Sequence, residues 1–139
     1  MTKKGRKGKK LPHLTRLELQ VMGIVWQLGE CTSTQVVTEF ATIRPLAPTT
    51  IRTVLSKLLQ KGYLERVPTV ERGYKFRATV PRECVARRSL KELLSSLFDD
   101  SPRQAIACLL ADTDISQGEL EEIRQMIESR KQNPNGEEE

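Results

Sequence analysis

The spacing of apolar residues changes once between residues 15 and 78, and this change constrains the fold more than any other feature of the chain. Up to residue 61 apolar residues recur every three or four positions, as at Ile51, Val54 and Leu55, which predicts amphipathic helices. From Tyr74 to Ala78 they alternate with polar residues, which predicts a strand. The chain is therefore expected to fold as helices followed by a single hairpin.

Capping signals set the limits of the first three helices. Thr15 with Glu18, and Thr32 with Gln35, have the spacing of a capping box, which predicts helix starts at these threonines. The third helix is predicted over residues 48–61, because proline suits a first turn and glycine follows the last residue. A short extended piece is expected between the first two helices.

Three more helices are predicted after Pro81, beginning near residues 81, 101 and 116. The predicted fold class is mainly α with a small β-hairpin, namely a winged helix-turn-helix followed by a helical dimerisation domain. The predicted domains are a disordered basic arm over residues 1–12, a winged-helix domain over 13–80, a helical domain over 81–131 and a disordered acidic tail over 132–139.

The C-terminal helices have wide apolar faces, and little of the chain remains to cover them. Two such sets from two copies can bury each other, which predicts a homodimer. The residues expected at the dimer interface are Leu90, Leu93, Leu94, Leu97, Ile106, Leu109, Leu110, Leu120, Ile123 and Ile127.

Charge divides the chain into two parts. Residues 1–82 carry 16 Lys/Arg and 5 Asp/Glu, whereas residues 83–139 carry 7 and 13. The basic part is suited to a polyanion and the acidic part is not, so the N-terminal part is the predicted DNA-binding side.

The third helix is the predicted recognition helix, because the second helix of a helix-turn-helix enters the major groove. Its polar face holds no acid, and Arg52 is its one candidate for a bidentate guanine contact. An ordinary solvated helix face is the alternative interpretation. The predicted DNA-binding residues of this helix are Thr49, Thr50, Arg52, Thr53, Ser56 and Lys57.

Basic residues of the hairpin and of the N-terminal arm are further candidates for DNA contact. Lys75 and Arg77 are assigned to phosphates, and Arg72 at the turn is assigned to phosphate or the minor groove. Lys9 and Lys10 represent the arm, which either follows a groove or only improves solubility. A solvated hairpin is the alternative for the wing.

No catalytic, cofactor-binding or metal-binding residue is predicted. The sequence has no phosphate loop and no G-x-S-x-G, and its one histidine has no convincing acid or nucleophile nearby. The three cysteines are far apart, which disfavours a zinc site or disulfides. The longest apolar run is too short to span a membrane and no secretory signal is apparent, so a cytoplasmic protein that is not an enzyme is expected.

The chain resembles the family of penicillinase and methicillin-resistance repressors, which also includes copper-responsive repressors. The resemblance runs from about Leu14 to Arg130. The matching stretches are Leu14-Thr15-x-x-Glu18-x-x-Val21-Met22-x-x-Val25-Trp26, Thr49-Thr50-Ile51-Arg52-Thr53-Val54-Leu55-x-Lys57-Leu58, Lys61-Gly62-Tyr63-Leu64, Arg72-Gly73-Tyr74-x-Phe76, Leu97-Phe98 and Asp114-Ile115-Ser116-x-x-Glu119-Leu120-Glu121-Glu122-Ile123.

This resemblance implies a repressor that binds a palindromic double-stranded DNA operator as a homodimer. It also implies a membrane sensor-protease that triggers cleavage in the C-terminal domain, at a stretch corresponding to about Ala105 to Leu110. The copper branch carries paired Cys-x-Cys motifs near the C-terminus; this sequence has none, which disfavours copper sensing.

Two other functions fit the residues. A non-specific architectural protein would bind nucleic acid through the basic arm and show little preference for a palindrome. A protein-interaction module would use the winged helix only as a scaffold and would not bind random duplex at low salt.

Overall fold

A computed structural model describes residues 11–70 and 73–134 of the chain. The elements in chain order are α1 (Arg16–Leu28), α2 (Ser33–Phe40), α3 (Pro48–Lys61), β1 (Leu64–Pro68), β2 (Tyr74–Ala78), α4 (Arg82–Leu97), α5 (Pro102–Asp112) and α6 (Gln117–Gln132). This confirms the predicted fold class of helices with one hairpin. Disorder is predicted for residues 1–12 and 132–139, and of these residues 1–10 and 135–139 lie outside the described ones.

The predicted caps explain where the first two helices begin. The Glu18 amide donates to the Thr15 hydroxyl at 3.2 Å, and the Thr15 amide donates to the Glu18 carboxylate at 2.8 Å. Thr32 and Gln35 exchange the same pair of bonds at 3.1 and 2.8 Å. Each box satisfies an amide that the helix leaves without a partner, so both helices start where the sequence predicts.

The hairpin is antiparallel, with Leu64 opposite Ala78 and Pro68 opposite Tyr74. On its other edge β2 pairs with Cys31, because the Phe76 amide donates to the Cys31 carbonyl at 2.7 Å and the Cys31 amide donates to the Phe76 carbonyl at 3.1 Å. Cys31 is thus the short extended piece between α1 and α2. Three helices, this bridge and the hairpin form a winged helix.

The buried residues of the winged helix come from all of these elements. They are Val21, Met22, Ile24, Val25, Cys31, Val36, Phe40, Ile51, Val54, Leu55, Leu58, Tyr63, Leu64 and Phe76. The Trp26 indole lies beside this core and donates to the Val80 carbonyl at 3.0 Å. This bond joins α1 to the segment that follows β2.

The chain separates into two compact units, Met1–Arg88 and Ser89–Glu139, and the division falls within α4. The domain limits 13–80 and 81–131 stay predictions. None of the helices α4, α5 and α6 contains a buried residue. Leu97 keeps 70% of its surface exposed and Leu109 keeps 58%.

The predicted interface residues are therefore open in the single chain. Eight are exposed, namely Leu90, Leu93, Leu97, Ile106, Leu109, Leu110, Leu120 and Ile127. Leu94 and Ile123 are half-buried. Large apolar side chains at this exposure, on neighbouring turns of three helices, are unusual for a surface that meets only water.

Candidate nucleic-acid interface

The outward face of α3 carries the predicted recognition residues. Burial of Ile51, Val54, Leu55 and Leu58 fixes which side of the helix faces the core. The residues left exposed on the opposite side are Thr49, Arg52, Thr53, Ser56 and Lys57, and Thr50 at the edge is half-buried. The helix contains no acid, so nothing on this face repels a phosphate.

Thr53 differs from the other hydroxyl residues of this face. Its hydroxyl donates to the Thr49 carbonyl, one turn earlier, at 2.9 Å. Because the only hydroxyl hydrogen is used in this bond, Thr53 offers a partner its methyl group and the oxygen lone pairs. The residue is therefore suited to a thymine methyl or to a base donor, and less suited to a phosphate.

An ion pair fixes the C-terminal end of α3. The Lys61 ammonium lies 2.7 Å from the Glu18 carboxylate on α1, and Glu18 is only 4% exposed. Burial by itself raises the pKa of Glu18, but the hydrogen bonds from Lys61 and Thr15 outweigh it, so the pKa lies below its ordinary value of 4.5. The pair thus holds α3 against α1.

The turn between α2 and α3 presents a cation that the sequence analysis did not select. Arg44 is exposed, its Nη2 donates to the Gln20 side chain at 3.0 Å, and its guanidinium lies 6.0 Å from the centre of the Phe40 ring. A basic residue within the turn of a helix-turn-helix was a signal available in the sequence.

Two of the predicted wing cations, Arg77 and Lys75, lie within the described residues, and they differ in exposure and in the groups around them. Arg77 is exposed but contacts two carboxylates, Glu65 at 2.8 Å and Glu30 at 3.3 Å. The hydrogen bond to Glu65 raises the pKa of Arg77, which keeps the pair charged. Lys75 is half-buried, and its charge opposes the rise in the pKa of the Cys31 thiol that burial causes.

Arg66 is a further wing cation that the sequence analysis did not select. It is exposed, and its guanidinium carbon lies 4.7 Å from the centre of the Tyr74 ring. The register places Arg66 opposite Phe76, on the face of the hairpin away from Lys75 and Arg77. The signal was obscured in the sequence, because the pairing of Arg66 with Tyr74 depends on that register.

Three other predicted contacts, Arg72, Lys9 and Lys10, lie outside the described residues. Leu11 and Pro12, which the sequence analysis assigns to the arm, are described.

Three side chains hold the segment from Leu11 to His13. Arg88 Nη2 donates to the Leu11 carbonyl at 2.6 Å, and Tyr63 Oη donates to the Pro12 carbonyl at 2.6 Å. Lys61 Nζ donates to the His13 carbonyl at 2.8 Å. Leu11, Pro12 and His13 are therefore held in place, with the His13 carbonyl bonded to the last residue of α3.

Within residues 11–70 and 73–134, no group of three or more His, Cys, Asp or Glu side chains is placed to hold a metal ion. In the same part of the chain no helix is long and apolar enough to cross a membrane.

Residues 14–129 match the profile of the family described as penicillinase repressor. The chain belongs to this family. Members of the penicillinase repressor family are transcriptional repressors rather than enzymes, in keeping with the prediction that the chain is not an enzyme.

Relatives with similar sequences extend over most of the chain. A protein of Latilactobacillus sakei described as an uncharacterized 16.5 kDa protein is 27% identical over 84% of this chain and 80% of its own length. The methicillin resistance regulatory protein MecI of Mammaliicoccus sciuri is 22% identical over 84% of this chain and 94% of its own length. The penicillinase repressor of Bacillus licheniformis is 23% identical over 88% of this chain and 95% of its own length.

Among solved structures, the chain is similar to monomeric BlaI of Bacillus licheniformis in complex with the blaP half-operator. The sequence identity is 26%, the TM-score is 0.47, and the match covers 53% of this chain and 89% of that one.

Proposed function

We propose that this chain represses transcription by binding a palindromic DNA operator as a homodimer, with one α3 helix in the major groove of each half-site. The observation that carries the proposal is the acid-free, exposed face of α3. Membership of the penicillinase repressor family, and its similarity to a methicillin resistance regulatory protein and to a penicillinase repressor, give it further support.

Within this proposal the residues of α3 have different roles. Arg52 reads a guanine, because its guanidinium matches the two acceptors on that base edge. Lys57, one turn further along and also exposed, contacts phosphate. Thr49, Thr50 and Ser56 donate to phosphates or base edges, and Thr53 accepts or makes an apolar contact.

The wing and the arm contribute contacts to the DNA backbone. We assign Lys75 and Arg72 to phosphates. Arg77 can contact a phosphate only if it gives up its ion pair with a carboxylate such as that of Glu65. Lys9 and Lys10 follow the duplex beyond the recognition helix. The bonds that hold Leu11 and Pro12 support this role, because these residues directly follow Lys9 and Lys10 in the chain.

The dimer covers the apolar residues of α4, α5 and α6. The exposed fractions of Leu97 and Leu109 support this assignment, because a second copy brings the same side chains to the same interface. A winged helix joined to such a unit places two recognition helices on one duplex.

Repression is relieved, in this proposal, by proteolysis in the C-terminal unit after a membrane sensor-protease receives the signal. The resemblance of the sequence to the repressor family supports this step. The corresponding stretch, from Ala105 to Leu110, lies within α5 and contributes Ile106, Leu109 and Leu110 to the proposed interface. Cutting it would remove those contacts and leave monomers with a weaker hold on the operator.

Selection of bound duplexes from a random pool tests the operator, and a palindromic consensus is the expected result. Arg52→Ala should then lose discrimination at one base position in each half-site, by about 1–3 kcal/mol, since it removes the one arginine of α3. Gln60→Ala, exposed on the same helix near its far end, is the matched control and should keep the consensus unchanged.

The architectural alternative makes the opposite prediction for the same pool. It expects no consensus, and it expects deletion of residues 1–10 to abolish binding. The repressor proposal allows only a weakening after this deletion. Equal discrimination by Arg52→Ala and the unmodified chain would show that the reader has been assigned to the wrong residue.

A further inference from the structure

Arg66 and Arg77 differ in whether their guanidinium groups form ion pairs with carboxylates. Arg77 donates to two carboxylates, so a phosphate would have to compete with Glu65 and Glu30. Arg66 is exposed and makes no ion pair with any residue in the described part of the chain. Of the two arginines, Arg77 is therefore the one whose charge is shared with carboxylates of the described residues.

The position of the Arg66 side chain is set by a series of ring contacts that begins in the core. Phe76 is 4% exposed, and the ring of Tyr74 meets it edge-on, with 5.3 Å between centroids and 77° between planes. The Arg66 guanidinium then lies over the Tyr74 ring at 4.7 Å. Each group in the series restricts the next, so the guanidinium is held before any ligand arrives.

The guanidinium N–H groups of Arg66 make no hydrogen bond with a residue in the described part of the chain. A guanidinium that stacks on a ring uses its flat face, while its N–H groups point outward in the plane. Those N–H groups match the spacing of two oxygens on one phosphate. An arginine placed in this way loses less side-chain entropy on binding than one that is free in solution.

We propose that Arg66, which lies over the Tyr74 ring, is a phosphate-binding residue of the wing, and that it contacts the DNA backbone through its guanidinium N–H groups. This inference rests on the proposed function, since the ligand is the operator duplex. Tyr74 acts as a positioning residue, because it orients Arg66 and makes no contact with the phosphate in this proposal. The contact is independent of base sequence.

The test measures the affinity of the full chain for its selected operator, and for a duplex of unrelated sequence, across a range of salt concentrations. Arg66→Gln should lower the slope of log affinity against log salt by about 0.9 on both duplexes, because one phosphate contact is lost. Arg130→Gln, exposed in the last turn of α6, is the matched control because it removes the same charge. It should leave the slope unchanged, since α6 is given no contact with DNA in this proposal.

Two substitutions of Tyr74 separate positioning from charge. Tyr74→Phe keeps the ring and should bind like the unmodified chain. Tyr74→Leu removes the ring and should weaken binding about two- to fivefold, with the salt slope retained, because Arg66 keeps its charge and loses its support. Arg66→Lys should also keep the slope, and Arg66→Ala serves as the second neutral variant if Arg66→Gln does not fold.

The outcomes separate this inference from the proposed function. If the unmodified chain binds neither duplex, the proposed function fails. If it binds and Arg66→Gln keeps the full slope, or if Arg130→Gln lowers the slope as much as Arg66→Gln, the assignment to Arg66 is overturned.

Discussion

At the scale of single residues, Glu18 is the clearest case of a buried charge with a structural task. It caps α1 through Thr15 and accepts from Lys61 at the end of α3, so one carboxylate serves two helices. A carboxylate at this depth needs both partners, because an unpaired buried charge is strongly unfavourable. The docking of the recognition helix on α1 therefore depends on a residue outside the candidate interface.

Stability should depend on pH through Glu18. Its folded-state pKa is lowered, so the stabilising contribution is present above about pH 4.5 and is lost as the pH falls through the folded-state value. Glu18→Gln should lower the free energy of unfolding by about 1–3 kcal/mol at pH 7 and flatten its decline in acid. Urea unfolding at a series of pH values from 7 to 3 measures both effects.

Glu39→Gln provides the control for this experiment, because Glu39 makes no ion pair with a described residue and its replacement should keep the acid decline. A Glu18→Gln curve parallel to that of the unmodified chain would contradict the role given to the carboxylate.

The sequence did not show which partners the side chains of Arg77 and Arg66 contact. Arg77 appeared available because its position in the strand is polar, and only the register of the hairpin brings Glu65 opposite it. Glu30, the second partner, is 47 positions away in the chain. Arg66 was overlooked for the same reason, since its contact with Tyr74 also crosses the hairpin.

At the scale of elements, the ends of helices follow local rules closely. The structure confirms the cap residues Thr15 and Thr32 and the range of α3, because each depends on residues within four positions of one another. Gly62 ends α3 with a φ of +92°, in the left-handed region that glycine adopts without strain.

Two glycines should respond to alanine in opposite ways. Gly62→Ala should destabilise the fold by about 1–2 kcal/mol, because a Cβ in the left-handed region is strained and would also lie 3.3 Å from a Leu11 methyl carbon. Gly23→Ala, inside α1 with open space around it, should stabilise by about 0.5–1 kcal/mol. Thermal unfolding of the two variants provides the comparison, and a loss of stability in both would contradict the account.

At the scale of the whole molecule, the two units differ in how they are stabilised. The winged helix has its own buried core, which the sequence predicted from apolar spacing. Helices α4 to α6 have apolar faces but no buried residue in the single chain. Spacing shows which face of a helix is apolar, but it does not specify what covers that face, so the dimer stays a prediction.

Sedimentation should give twice the chain mass of 15.8 kDa for the unmodified protein. Leu109→Glu should reduce the measured mass to that of one chain and weaken operator binding. The reason is that a carboxylate buried at the interface without a partner costs about 3–5 kcal/mol. Ile43→Glu, an exposed apolar position in the winged helix, should leave the mass unchanged. The interface is wrongly placed if Leu109→Glu stays at the double mass while Ile43→Glu dissociates.

The absence of buried residues in α4 to α6 also has a consequence for gene dosage. If these helices are stable only in pairs, the amount of operator-competent protein rises with the square of the chain concentration while dimers are scarce. A cell that doubles its repressor would then raise the active form about fourfold. Repression would accordingly rise more steeply with chain concentration than it would if a single winged helix bound the operator.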